Sequence, residues 1–279
     1  MVWALAFGWI VSSLARLILM LAFLPGERNH LAWEPGAGRD LIHFGVWLFL
    51  STACGFLVAQ GDKAILGKYL TLEQLGLYNI GFFLASFPLL LGQTVTGRIL
   101  IPLYRERPPG ASEENARALR RMRIPLTATL FVLLAIMGFA GEWIVDLLYD
   151  SRYSAAGAIL VLVAVIQIPQ VIGMTYDQSA LAAGDSRNYF YVTLARAVLL
   201  MIFMIAGAEW NGLFGALIGQ GLAGLAVYPA LVWLARRHGA WDRVHDSIFA
   251  LVGLLLAGSV LAFDKTAIAA LMTIFGAAG

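Results

Sequence analysis

Apolar residues gather into nine long stretches separated by short polar loops, and this pattern fills almost the whole chain. A run of about 20 apolar residues spans a bilayer core of about 30 Å as a helix. Within lipid each backbone N–H and C=O must find its partner inside the segment, so repeated runs of this length predict helices packed as a bundle. The runs fall at 2–24, 42–69, 72–103, 124–148, 154–183, 187–207, 210–235, 246–263 and 266–278, the last of them short. An all-α, polytopic membrane bundle of about nine transmembrane helices is therefore expected. The first run is too long for a cleavable signal peptide and no small-residue cleavage site follows it, so it is expected to remain as a helix.

Composition agrees. Hydrophobic residues make up 60% of the chain and charged residues 13%, against about 25% charged in soluble domains. A net charge of +2 gives no reason to expect nucleic acid as a partner. Most basic residues sit in loops and report topology instead. The connector Tyr104–Arg123 is the most basic, with Arg105, Arg107, Arg117, Arg120, Arg121 and Arg123. Placing it in the cytoplasm puts 25–41 (Arg28, Arg39), 184–187 (Asp185, Arg187) and 236–245 (Arg236, Arg237, Arg243) on the same side. The N-terminus is then expected outside and the C-terminus inside. The same connector carries Pro108-Pro109-Gly110 and reads as a short amphipathic surface helix, with a partner-docking site as the alternative. The lone Cys54 excludes an intrachain disulfide. His30, His43, His238 and His245 lie at or near span ends without metal-ligand spacing, and no Ser/His/Asp or Cys/His arrangement is visible. Neither catalytic residues nor a metal are expected, and the chain is not expected to be an enzyme.

Function must then lie in polar groups kept inside the spans, where an ionisable side chain costs several kcal/mol unless it faces a bundle interior or a watery cavity. Arg16 lies about two turns from one end of the first span, where snorkelling is the competing reading. The second span carries Gln60-Gly61-Asp62-Lys63, expected in the outer half of the bundle or in an interfacial loop. The third has Gln93, Thr94, Thr96 and Arg98, with Thr94 and Arg98 sharing a helix face and Pro88 kinking the helix. In the fifth, Gln167, Gln170, Met174 and Asp177 form a polar stripe bent at Pro169, the pattern of a cavity wall. Tyr189, Thr193 and Arg196 form a stripe on the sixth. Arg16, Arg98 and Arg196 outnumber Asp177 in the cytoplasmic half. A cationic cavity of this kind favours an anion such as a phosphorylated lipid headgroup, since guanidinium matches phosphate in bidentate fashion. The competing reading is private pairing of each arginine to hold the bundle together. In the seventh span Gly212, Ala216, Gln220 and Gly224, with Gly215, Gly219 and Ala223 beside them, predict close helix–helix approach.

Several segments resemble the polysaccharide flippases of the multidrug/oligosaccharidyl-lipid/polysaccharide exporter superfamily. They are Phe44-Gly45-Val46-Trp47-Leu48-Phe49-Leu50-Ser51 with Gln60 through Lys68, Leu75-Gly76-Leu77-Tyr78-Asn79-Ile80, Gly97-Arg98-Ile99-Leu100-Ile101-Pro102, Ala182-Ala183-Gly184-Asp185, and Gly212 through Tyr228-Pro229. The resemblance implies two six-helix lobes around a central cavity. Residues 42–235 would be the second lobe, 1–24 the last helix of the first, and 246–279 two peripheral C-terminal helices. Most of a first lobe would then be supplied elsewhere, by a missing segment or a second copy.

What the resemblance further implies is flipping of an undecaprenyl-diphosphate-linked oligosaccharide across the bacterial inner membrane by alternating access, for envelope polysaccharide synthesis such as lipopolysaccharide O-antigen. By position Arg98, Arg196 and Arg16, with Gln93 and Lys63, are the candidates for the diphosphate, and Gln60, Gln167 and Gln170 for the cavity lining. Asp62 and Asp177 would bind a coupling H⁺ or Na⁺ or pair with the arginines, with no other cofactor. Two rivals remain: a multidrug or small-molecule exporter, against which the arginine excess argues for cationic drugs, and a polymerase or ligase acting on lipid-linked sugars. The latter would need a large outer loop, and the expected outer loops are only a few residues long.

Overall fold

The computed structural model describes residues 2–23 and 34–275, so Arg28, His30 and the outer ends of the first and last expected spans lie outside the described residues. Every regular element among the described residues is helical. The chain divides into two units, Met1–Ile42 and His43–Gly279. The first holds α1 (Val2–Phe23) and the opening residues of α2 (Pro35–Tyr69). From Phe7 to Phe23, α1 is exposed on all sides, as suits a helix whose residues are apolar all round.

The second unit continues through α3 (Leu72–Ala85), α4 (Phe87–Val95), a π-helical turn Thr96–Leu100 and α5 (Ile101–Glu106). Then come α6 (Glu113–Leu148), a single 3₁₀ turn Ser151–Tyr153, and the chain of short helices α7 (Ala155–Ile166), α8 (Ile168–Gly173) and α9 (Asp177–Ala182). It closes with α10 (Ser186–Arg237), α11 (Arg243–Phe263) and α12 (Lys265–Phe275). Five of the described helical segments are long and apolar enough to cross a membrane, or six when α3 and α4–α5, bent by 42°, count as one.

α10 contains 52 residues, about 78 Å of helix at 1.5 Å per residue and far more than one bilayer crossing. It breaks at Asn211 and at Gly212, whose φ of 52° and ψ of −137° lie where only glycine rests easily. The two halves fold back on each other, so this element contains both spans expected at 187–207 and 210–235. A Cβ on Gly215 would sit 2.0 Å from the Gly207 carbonyl oxygen, and one on Gly219 2.1 Å from that of Phe203. The small residues are therefore there for backbone contact. α12 has 11 residues, about 16 Å of helix, and does not span a bilayer by itself.

α7 is the centre of the unit. It is apolar all round, and Ile159, Leu160, Val161 and Val163 are sealed from solvent. α6 and α3 flank it, and α10, α11 and α12 pack on it as well. Pro88 breaks the helix at Ser86, whose hydroxyl donates to the Phe82 carbonyl at 2.7 Å. Pro169 breaks it again at Gln167. Each ring removes an N–H and blocks the carbonyl four residues back. α11 packs against α6, α7 and α8 and buries His245, Asp246, Phe249, Gly253 and Val260. The connectors after α5 and α10 meet at one end of the unit, where a Cβ on Gly239 (φ 64°) would lie 2.6 Å from the Gly110 Cα. Arg120 and Asp242 pair there too.

Candidate functional site

Short α9 opens with Asp177, one of the candidates that the sequence singled out. It packs against α10, α5 and the π-helical turn. Arg196 of α10 donates through Nη2 to both oxygens of Asp177, at 3.2 and 3.0 Å, in a half-buried ion pair. Thr193, one turn back, is buried and donates to the Tyr189 carbonyl at 2.9 Å. The Tyr189–Thr193–Arg196 stripe therefore does face protein.

Arg98 lies in the π-helical turn and is exposed, with no ion pair among the described residues. Pro102 has no N–H to offer the Arg98 carbonyl, and a widened turn is one way a helix absorbs that loss. Thr94, also exposed, donates its hydroxyl to the Leu90 carbonyl at 2.8 Å. Gln93 is exposed on the turn before Arg98.

The other candidates have surroundings of their own. Asp62 is buried, and Tyr78 donates to its Oδ2 at 2.6 Å while Oδ1 has no protein partner. Lys63 turns to the surface of α2 and donates to Gln60 Oε1 at 3.0 Å. Gln167 is buried at the α7–α8 break with both amide atoms unpartnered, and Gln170 is half-buried. Arg16 belongs to the first unit, exposed on α1 beside Ser12, Ala15, Leu19, Met20 and Phe23. Among the described residues no three His, Cys, Asp or Glu side chains gather as metal ligands.

A larger polar cluster lies under the basic end, built from residues that sequence reasoning passed over. Asp246 receives Tyr176 and Tyr228 hydroxyls at 2.5 Å each and the Trp241 indole N–H at 3.1 Å. His245 Nδ1 lies 2.9 Å from Asp246 Oδ1, and its Nε2 lies 2.9 Å from Thr127 Oγ1. A Thr/His/Asp chain therefore exists where the sequence showed no such arrangement, because its members come from α6 and α11. Thr127 and His245 are 1% and 0% exposed, so no substrate carbonyl can reach the hydroxyl and the chain holds helices together. Arg123, 1% exposed, donates to the Tyr104 hydroxyl at 2.7 Å and to the Ala240 carbonyl at 3.1 Å.

At the rim, outside the spans, Asp185 caps α10 by accepting the Asn188 N–H at 3.2 Å and also meets His238 at 3.1 Å. Burial alone would raise its carboxyl, but hydrogen bonds from Asn188 and the charges of His238 and Arg237 hold it below the usual carboxylate value. Asp242, which caps α11 and is held by Arg120, is depressed in the same way against its burial. The chemistry on offer is anion recognition: an exposed guanidinium fork at Arg98, in a turn that packs on α9, and a second arginine, Arg196, paired with Asp177 of α9.

Against known proteins, residues 1–158 match a family model described as polysaccharide biosynthesis protein. An amylovoran biosynthesis protein of Erwinia amylovora is 22% identical over 74% of this chain and 53% of its own length. A protein named as a probable low-salt glycan biosynthesis flippase of Haloferax volcanii is 22% identical over 77% of this chain and 46% of its own. A lipopolysaccharide biosynthesis protein of Escherichia coli is 19% identical over 76% of this chain and 43% of its own. The chain thus spans about half the length of the curated relatives it matches. No solved structure matches it.

Proposed function

This chain belongs to the polysaccharide biosynthesis protein family, and from that premise we propose that it takes part in moving a lipid-linked oligosaccharide across the inner membrane. The carrier is undecaprenyl diphosphate, and the basic end, with the C-terminus, faces the cytoplasm. The diphosphate is met first by Arg98, and by Arg196 once a phosphate displaces Asp177 from it. Gln93 stands on the turn before Arg98 as a neutral donor. Asp177, released in that exchange, and Asp62 are the places for a coupling H⁺ or Na⁺. Alternation between inward- and outward-facing states carries the sugar across, with a second lobe or a second copy of this chain closing the polar face.

One observation supports this reading above the others: a single short helix, α9, carries the carboxylate of an arginine–carboxylate pair and packs against the turn that holds an exposed arginine. That is an exchangeable anion site rather than a fully paired structural lock.

The test is quantitative. In cells lacking the gene, re-supplied with variants at matched protein level, lipid-linked oligosaccharide left on the cytoplasmic leaflet is measured. Arg98→Ala and Arg196→Ala are each expected to slow clearance about tenfold or more, the value of a lost charge-assisted hydrogen bond of about 1.5–3 kcal/mol. Clearance at the unsubstituted rate in both variants overturns the arginine assignment, and the absence of any backlog in the deletion strain overturns the flippase reading.

A further inference from the structure

The break between α8 and α9 leaves a backbone carbonyl to be satisfied from outside its own helix. There the Tyr176 N–H bonds the Gly173 carbonyl at 3.0 Å and the Ser179 N–H bonds the Tyr176 carbonyl at 3.1 Å, each one residue shorter than an α-helical bond. Ser179 therefore does not serve the Thr175 carbonyl. Tyr104 does, through its hydroxyl at 3.2 Å. A buried C=O left without a donor costs about 1–3 kcal/mol, so this one contact decides whether the break persists.

Tyr104 is itself aimed. Its oxygen accepts from Arg123 Nη2 at 2.7 Å, while Arg123 Nη1 reaches the Ala240 carbonyl at 3.1 Å. The same guanidinium lies 4.5 Å from the centre of the Tyr176 ring, and the Tyr176 hydroxyl is held by Asp246 at 2.5 Å. Both residues before Asp177 are thus fixed from other helices: Thr175 through Tyr104 and Arg123, Tyr176 through Arg123 and Asp246. The following residue is the carboxylate that Arg196 grips. A buried arginine is an expensive way to fill space, and an apolar side chain of similar volume is often at least as stabilising. What it supplies is direction, because its rigid fork serves two acceptors at a set angle, which the single ammonium of lysine does not.

We propose that Arg123, acting through Tyr104 and together with Asp246, is the positioning residue that sets the α8–α9 break and so presents Asp177 to Arg196. This rests on the reading of the Asp177–Arg196 pair as part of the substrate path. Arg123 touches no substrate; it determines how readily the pair opens.

Cys54 is the one cysteine of the chain, so a Cys54→Ser background allows a thiol to be placed at will. With Gln178→Cys beside Asp177, the labelling rate by a charged methanethiosulfonate is read in permeabilised membranes, with Ser151→Cys as the remote control. Tyr104→Phe, which removes a single hydroxyl, and Arg123→Lys are each expected to raise labelling at 178 about fivefold to tenfold, the opening expected from one lost buried hydrogen bond. Labelling at 151 is expected to stay constant. Unchanged labelling at 178 in the Tyr104→Phe protein overturns the proposal, as does an equal rise at 151, which marks general loosening. Translocation is measured on the same variants. A fall that tracks labelling at 178 supports both readings. A rise in labelling with undiminished translocation keeps the positioning role and removes the Asp177–Arg196 pair from the substrate path.

Discussion

Arg123 stands in a connector that reads as surface, yet it is 1% exposed. Sequence rules assign arginines at the start of a membrane helix to the interface, where they snorkel and report topology. His245, Asp246 and Tyr104 suffer the same misreading, since each sits within a turn or two of a span's end. Only the folded chain shows that three such ends converge. The Asp177–Arg196 pair was more legible because both lie well inside apolar runs, where an ionisable group demands a reason. At this scale Asp242 contributes, alongside Asp185, to the acid limb of stability. Its carboxyl is held below the usual value by Arg120 and the His245 N–H despite burial. The stabilisation is therefore complete above the ordinary carboxylate value near 3.8 and is lost as pH falls through the depressed one. Asp242→Asn is expected to lower the melting temperature of the detergent-solubilised protein at neutral pH and to flatten its decline in acid. A decline as steep as that of the unsubstituted protein would exclude Asp242 as its source.

Among elements, α10 is where pattern and structure agree most closely. Its row of small residues predicted close approach, and a Cβ on Gly215 or Gly219 would fall 2.0 or 2.1 Å from a backbone carbonyl oxygen. What the row did not disclose was its partner. That is the other half of the same element, fixed by the turn at Asn211 and Gly212. Gly219→Ala is expected to cost about 1–3 kcal/mol, because the obstructing atom is a backbone oxygen that cannot swing aside. Gly224→Ala serves as the control, since its nearest neighbour would lie at 3.8 Å. Thermal unfolding of the two purified variants checks this, and equal melting temperatures would refute it. The π-helical turn at Thr96–Leu100 was hidden for a different reason. Pro102 signalled a lost hydrogen bond, but a kink and a widened turn absorb that loss equally well on paper.

For the whole molecule, hydropathy displayed an all-α bundle of long apolar helices; it counted about nine spans where five or six described segments are long and apolar enough to cross a membrane, and it missed how unevenly they are buried. α7 is enclosed, whereas α2 remains largely exposed along its length. Charge supplied the sidedness argument over 25–41, 104–123, 184–187 and 236–245, and the last three approach one another through Gly110 with Gly239 and Asp185 with His238. With these connectors in the cytoplasm, Arg117→Cys in the Cys54→Ser background is expected to escape an impermeant thiol reagent in intact cells, while Ser151→Cys reacts. The opposite pattern would invert the orientation.

The meeting of Gly110 and Gly239 has a consequence for how such a chain can diversify. Two connectors far apart in sequence touch backbone to backbone, and Gly239 does so in the left-handed region, at φ 64°. Gly239 then has no room for a side chain unless the Gly110 connector retreats, so a change in length at either connector calls for a matching change at the other. Variation in lineages that keep this contact is steered instead to positions such as Ser151 and Arg152 of the 3₁₀ turn, which are exposed. Epitope tags and grafted loops will meet the same asymmetry.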